Sequence, residues 1–326
     1  MKNQYFGDVN DWRKFYILRT LLAAGVKLTI GWMLTPDDGS SNGSRLDYLS
    51  GPAQGSADRE LFDWFRAWNG DGAVRQVSLI EDSGLLAGAG FVRDPLGDSS
   101  SERDRWFEKL AAMARGTSLI FLDPDNGLEI KSVRRGARSS SKYVYWDEIR
   151  VLLEQGFSVL VYQHVPRIEP GRATHIRVSE AYERLPIKHC VSIRAVGVNY
   201  FLFPAENAAG GLIPEAVKCT NNQMGVDVRY SSRAEWGTLF ALPEPLKAKR
   251  PAPRISKAGI TTAIGFVNRN GQAVREKTDL AGTDHGQKVY VLQCNHCTFE
   301  YGVNGSGIFQ YRCPNCQTGV PGIPYR

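Results

Sequence analysis

Two kinds of apolar pattern alternate along the chain, and their order predicts a layered α/β protein. Across residues 11–24 apolar side chains recur at Trp12, Phe15, Ile17, Leu18, Leu21 and Leu22. That is the spacing of one helix face, with Gly25 as the stop and Asp8, Asn10 and Asp11 as candidate caps. Val26 to Leu34 reads as a strand, and Thr35 to Arg45 as a long polar, glycine-rich loop. Residues 57–68 return to helical spacing, and 74–80 (VRQVSLI) read as a strand. Residues 81–102, rich in Gly and Ser, are expected to form a mobile loop, and 103–115 a helix. Ile120, Phe121 and Leu122 then form a short apolar run without alternation, which predicts a strand buried on both faces of a parallel sheet. A helix over 147–156, a buried strand over 157–165 and a helix over 176–185 follow. Segments 189–195 and 198–203 are expected to pair as an antiparallel edge. Strands alternating with helices imply an α/β fold, a Rossmann-like doubly wound sheet in three layers, over residues 1–242.

The pattern changes near residue 243. Residues 243–257 combine proline and basic residues without periodicity and read as a linker. Residues 258–326 then form a small β-rich domain, with a hairpin turning at Asn270-Gly271. Of the six cysteines in the 326 residues, four make two CxxC pairs: Cys294, Cys297, Cys313 and Cys316. Two such knuckles supply four thiolates to one tetrahedral Zn²⁺, and four protein ligands leave no position open for a substrate. A structural zinc ribbon is therefore expected, with no metal or cofactor for catalysis. Cys190 and Cys219 are expected in the core.

Candidate chemistry gathers behind the unalternating strand, where open α/β sheets bind ligands. Asp123, Asp125 and Asn126 follow it directly, and Gln163 and His164 end the next buried strand. A plain turn has no need of Asp on both sides of a Pro, so this loop is read as functional. A basic segment follows, with Arg134, Arg135, Arg138 and Lys142 as candidate phosphate contacts. The net charge of +6 agrees with an anionic partner, and DNA is the one expected. No run of about 18 apolar residues and no apolar leader are present, which excludes a membrane span and predicts a cytoplasmic protein. The pattern does not fix an oligomeric state.

Residues 7–15, GDVNDWRKF, precede a strand, a glycine loop over Leu28–Arg45, the Asp123-Pro124-Asp125-Asn126 loop, and a helix and buried strand. In this order of landmarks, residues 5–203 resemble the bacterial large-subunit rRNA adenine-N6 methyltransferases. Gly7, Asp11 and Lys14 match that family's N-terminal GNxADxxKH segment, and its final His is Phe15 here. The resemblance implies a Rossmann-like fold, an S-adenosylmethionine loop at Leu28–Arg45 and an Asp-Pro-Pro-Tyr-type loop at 123–126. The aromatic position of that loop is Asn126, and Thr35-Pro36-Asp37-Asp38 stands where a compact glycine turn would hold the cofactor.

These departures turn the expectation toward hydrolysis. Carboxylates close to one another suit general-base or electrostatic work on water. The leading reading is a DNA glycosylase that flips a base into an acid-lined pocket, similar to bacterial anti-phage glycosylases that remove modified bases from phage DNA. Asp123, Asp125, Asp11 and Asp8 are its candidate catalytic residues, and Asn10, Asn126, Gln163, His164 and Lys14 its candidate base contacts. Three alternatives stand beside it: an adenine-N6 methyltransferase, a metal-dependent nuclease built on Asp125, Glu129 and Lys131, and an inactive nucleic-acid-binding module.

Overall fold

The structure, a computed structural model, describes residues 1–39, 43, 45–50, 58–69, 73–165, 170–222, 224–239, 260–283, 287–317 and 319–325. The chain divides into two compact units, Met1–Pro243 and Glu244–Arg326. The segment read as a linker, 243–257, lies outside the described residues.

The first unit begins with α1 (Val9–Ala23) and β1 (Leu28–Gly31), then α2 (Arg59–Trp68), α3 (Ser78–Asp82) and β2 (Gly90–Val92). After α4 (Ser100–Met113) come β3 (Leu119–Leu122), the short pair β4 (Gly127–Leu128) and β5 (Tyr143–Val144), then α5 (Trp146–Glu154) and β6 (Ser158–His164). It closes with α6 (Pro170–Arg184), β7 (His189–Ala195), β8 (Val198–Phe203), α7 (Ala209–Val217), β9 (Asp227–Ser232) and α8 (Arg233–Leu239). Seven strands form one sheet in the order β2-β1-β3-β6-β8-β7-β9. The first four run parallel, and β8 is antiparallel to both β6 and β7.

Alternate residues of each strand build two cores. Leu28, Ile30, Leu119, Phe121, Leu160 and Tyr200 meet side chains of α1, α2, α3 and α7 on one face. Ile120, Leu122, Val159, Val161, Phe201 and Phe203 meet α4, α5 and α6 on the other. All four residues of β3 are buried, which is why its sequence shows no alternation. The chain leaves β1 for β2 on one side and returns as β3 on the other. The carboxyl ends of β1 and β3 therefore flank a point where the winding reverses, the place where open sheets leave a crevice.

Three expectations need correction. Residues 74–80 are not a strand: Val77 and Ile80 are buried one helical turn apart at the start of α3, while Val74 is exposed. A spacing of three satisfies that apolar pattern as well as alternation does. The loop expected at 81–102 contains β2, three residues that pair with β1 and carry Phe91 stacked on Trp32. Finally, β7 and β8 do pair antiparallel, but not as an edge, because β8 lies beside β6 and β9 covers β7.

The second unit is a three-stranded antiparallel sheet of β10 (Gln272–Ala281), β11 (Lys288–Cys294) and β12 (Glu300–Asn304). The turn at Asn270-Gly271 forms, but its first arm is one bridge, Val267 to Ala273, and the main hairpin is β10–β11.

Candidate active site

The N-terminal motif becomes geometry at the start of α1. Asp8 caps the helix, its side chain accepting from the Asn10 amide at 2.9 Å. Asp11 and Lys14 follow one turn apart, on one helix face. Gly7 turns the chain with φ +86°, and a Cβ there would collide with Trp68. That turn lets the Gly7 amide donate to Asp11 Oδ2 at 3.1 Å. Lys14 Nζ then bridges two carboxylates, Asp11 Oδ1 and Asp123 Oδ2, each at 2.6 Å. Asp123 stands one residue beyond β3, its amide still paired to the Gly31 carbonyl at 3.1 Å. Lys14, Asp11 and Asp123 are all at least 95 % buried. Such a group is tolerable only because opposite charges meet within hydrogen-bonding distance. Burial raises the Asp11 pKa to about 6 despite Lys14, and the two carboxylates hold Lys14 firmly protonated against its own burial.

This cluster forms one wall of a cavity of about 420 Å³ at the carboxyl ends of β1, β3 and β6. Asp8, Asn10, Asp11, Lys14, Asp123, Asp125, Asn126 and His164 all line it. Most of their polar atoms are already engaged. Asp11 uses both oxygens, one on Lys14 and one on Gly7. Asp125 is paired with the Met1 amino group at 2.8 Å and accepts from the Thr35 hydroxyl at 2.7 Å. Asp8 is held by its capping bond and by Arg45 at 3.2 Å. Asp123 differs: Oδ2 is tied to Lys14, and Oδ1 has no protein partner among the described residues. The Asn126 side chain likewise has no partner among them, and its backbone carbonyl accepts from the His164 amide at 3.3 Å. Burial and the nearby Arg45 lower the His164 pKa, favouring the neutral ring at neutral pH.

Other candidates are elsewhere. Gln163 is a clip: Oε1 accepts from the Leu128 amide at 2.9 Å, and Nε2 donates to the Asn126 and His164 carbonyls at 3.0 and 2.8 Å. It faces a second cavity rather than the one containing His164, because neighbours on a strand point to opposite faces. Gly127, at φ +110°, leaves the space this clip occupies. The four basic candidates do not act together. Arg135 is paired with Glu148 at 3.0 Å and with Asp104 at 2.5 Å, and it braces the loop with the buried Arg103–Glu148 pair. Arg134 lines the second cavity, whereas Arg138 is exposed and Lys142 half-buried, and neither lines either cavity.

Sequence reasoning missed Tyr5, Arg45 and Tyr162 in the cavity wall. Tyr162 was within reach, since alternation from His164 puts both on one face of β6. Its ring lies 5.7 Å from Lys14 Nζ, and burial beside Asp123 and Asp11 raises its pKa well above the usual range. Tyr5 ends a single 3-10 turn and Arg45 lies in a loop, and neither stretch carries a periodic signal.

In the second unit the sulfur atoms of Cys294, Cys297, Cys313 and Cys316 lie within 4.8 Å of one another. Asn315 donates to Cys297 Sγ at 3.6 Å and Gln272 to Cys294 Sγ at 3.6 Å, outer bonds of the kind that orient metal ligands. Among the described residues it is the one group of Cys, His or acidic side chains close enough to share an ion. Cys190 and Cys219 are buried in the first unit. Among the described residues no helix is long and apolar enough to cross a membrane. Comparison of the chain with protein-family models, with curated proteins and with solved structures returns no match.

Proposed function

We propose that the first unit is a DNA glycosylase, a hydrolase that accepts a flipped base, with modified bases of phage DNA as the expected substrates. One observation carries this reading: Asp123, fixed through Oδ2 by a buried ammonium, lines the cavity with an Oδ1 that has no protein partner among the described residues. A carboxylate so held does not rotate away. It is suited to orient and deprotonate a water, or to stabilise the positive charge that develops on a deoxyribose as its base departs. Lys14 and Asp11 are positioning residues in this scheme. A cavity of about 420 Å³ is in the range of pockets for small ligands, and a base with its sugar is such a body. Asn126, Asn10 and neutral His164 offer hydrogen bonds to a base edge, and Tyr5 and Tyr162 offer aromatic surface.

A second reading, adenine-N6 methyl transfer, has one observation in its favour. An antiparallel strand, β8, inserted between β6 and β7 at the end of a parallel run, fits a Rossmann-like sheet of the methyltransferase type. Against it, Met1 occupies the crevice beyond β1, its amino group donating to the Met33 and Asp123 carbonyls at 3.1 and 2.7 Å. The nuclease reading loses its triad, since Asp125 lines one cavity while Glu129 and Lys131 line the other.

The second unit is read as a zinc ribbon, with one structural Zn²⁺ held by the four thiolates. When bound, the ion supplies cohesion rather than chemistry.

The test is product analysis. DNA with ordinary, hydroxymethylated or glucosylated cytosine is incubated with the full chain, without cofactor or added divalent ion. Free base and abasic sites that break only on alkali treatment are expected. Transfer of a labelled methyl group from S-adenosylmethionine, or direct strand cutting, would replace this reading.

A further inference from the structure

On the other side of the β4 loop lies a larger cavity, about 530 Å³, which the proposed chemistry does not use. Its composition is uneven. Ile130 and Ile176 are exposed large apolar side chains turned into it, and Val133 lines it beside them. Cations surround this apolar wall. Arg177 is paired with Glu180 at 2.7 Å and Arg184 with Glu129 at 3.4 Å, so their charges are largely met within the protein. Lys131 and Arg134 are exposed and make no ion pair among the described residues. An apolar wall with two unmatched cations at its rim is complementary to an anion that carries a flat apolar body.

We propose that this cavity binds a nucleoside 5′-phosphate, its base against Ile130, Val133 and Ile176 and its phosphate between Lys131 and Arg134. The ligand is either a free nucleotide or one unit of a nucleic-acid strand; both present the same chemistry. The site is separate from the cleavage reading and stands without it. It is one loop away from it, however: Gln163, which lines this cavity, bonds the Leu128 amide and the carbonyl of Asn126, a residue of the other cavity.

The experiment is calorimetric titration of the full chain with deoxynucleoside monophosphates, inorganic phosphate and a short single-stranded oligodeoxynucleotide. It compares wild type, the double variant Lys131→Gln with Arg134→Gln, and Arg138→Gln as an exposed cation outside the cavity. Binding of nucleotide or oligonucleotide should weaken about tenfold or more in the double variant, the scale of two lost charge-assisted hydrogen bonds. It should be unchanged in Arg138→Gln, and because binding is read without turnover, failure of base release leaves this result standing. Mononucleotide binding that competes with the oligonucleotide identifies a free-nucleotide site. Oligonucleotide binding alone, lost in the double variant, identifies a strand contact. Equal affinity in wild type and double variant, phosphate binding as tightly as nucleotide, or no binding of any ligand would overturn the proposal.

Discussion

The two units hold their reactive groups in place by different means. In the first, two apolar layers around a seven-stranded sheet surround one ammonium and two carboxylates, so the hydrophobic core does the positioning. In the second, among the described residues, the main apolar cluster is Val274, Tyr290, Leu292, Tyr301, Val303 and Ile308, and four cysteine sulfurs lie within 4.8 Å of one another. A core that small leaves little to oppose chain entropy, and on the zinc-ribbon reading proposed above an ion supplies what packing does not. The difference concerns what each unit loses when its central charge is removed. The first should lose a few kcal/mol and keep its fold, and the second should lose the fold.

The largest expected effect follows from that contrast. Chelation, or Cys297→Ser, should unfold the second unit, because a structural zinc contributes on the order of 10 kcal/mol to such a module. Amide hydrogen exchange on the full chain should show β10 to β12 losing protection while β1, β3 and β6 keep theirs. Equal protection with and without metal would remove the contrast between the units.

Next in size is Lys14→Met. It leaves Asp11 and Asp123 facing each other in the interior without a cation. Breaking a buried pair from one side costs about 3–5 kcal/mol, measurable by urea denaturation. Adding Asp11→Asn to Lys14→Met should recover part of the loss, because it removes one of the two unmatched charges. No recovery would mean that the bridge acts through packing alone.

A smaller effect should appear in the pH dependence. Burial raises Asp11 in the folded state to about 6, above its value of about 4 in an unfolded chain. Between those values the native state keeps a proton that the unfolded state has lost. The stability linked to this group is therefore complete below about pH 4 and declines as pH rises toward 6. Asp11→Asn should remove that decline. A variant whose stability profile parallels wild type across this window would show that Asp11 does not titrate there.

The legible parts of the sequence were those where one local rule has one outcome. The run Ile120–Leu122 had to be a strand covered on both faces, and one of Asp8, Asn10 and Asp11 was expected to cap the first helix, as Asp8 does. The cysteine spacing likewise led to sulfur atoms in mutual reach. Legibility failed where tertiary contact decides. Three residues of β2 form a strand because β1 offers an edge and Trp32 a ring, and neither is visible from Gly90–Val92. The site shows the same division. Asp11 and Lys14 share a helix face by spacing alone, but only the fold brings Asp123 to Lys14 across 109 residues. Charge type did not tell Arg135, spent on Glu148 and Asp104, from Arg134, which lines a cavity and makes no ion pair among the described residues.

The most direct measurement separates binding from turnover at Asp123. Asp123→Asn keeps the volume and leaves Lys14 its bond to Asp11, while replacing by an amide the carboxylate whose Oδ1 has no partner among the described residues. With DNA that the wild type depurinates or depyrimidinates, the variant should bind with unchanged affinity and salt dependence and release base at least about a hundredfold more slowly, the scale expected for a general base. Release at the wild-type rate would contradict the account, because the oxygen held toward the cavity would then have no part in the chemistry.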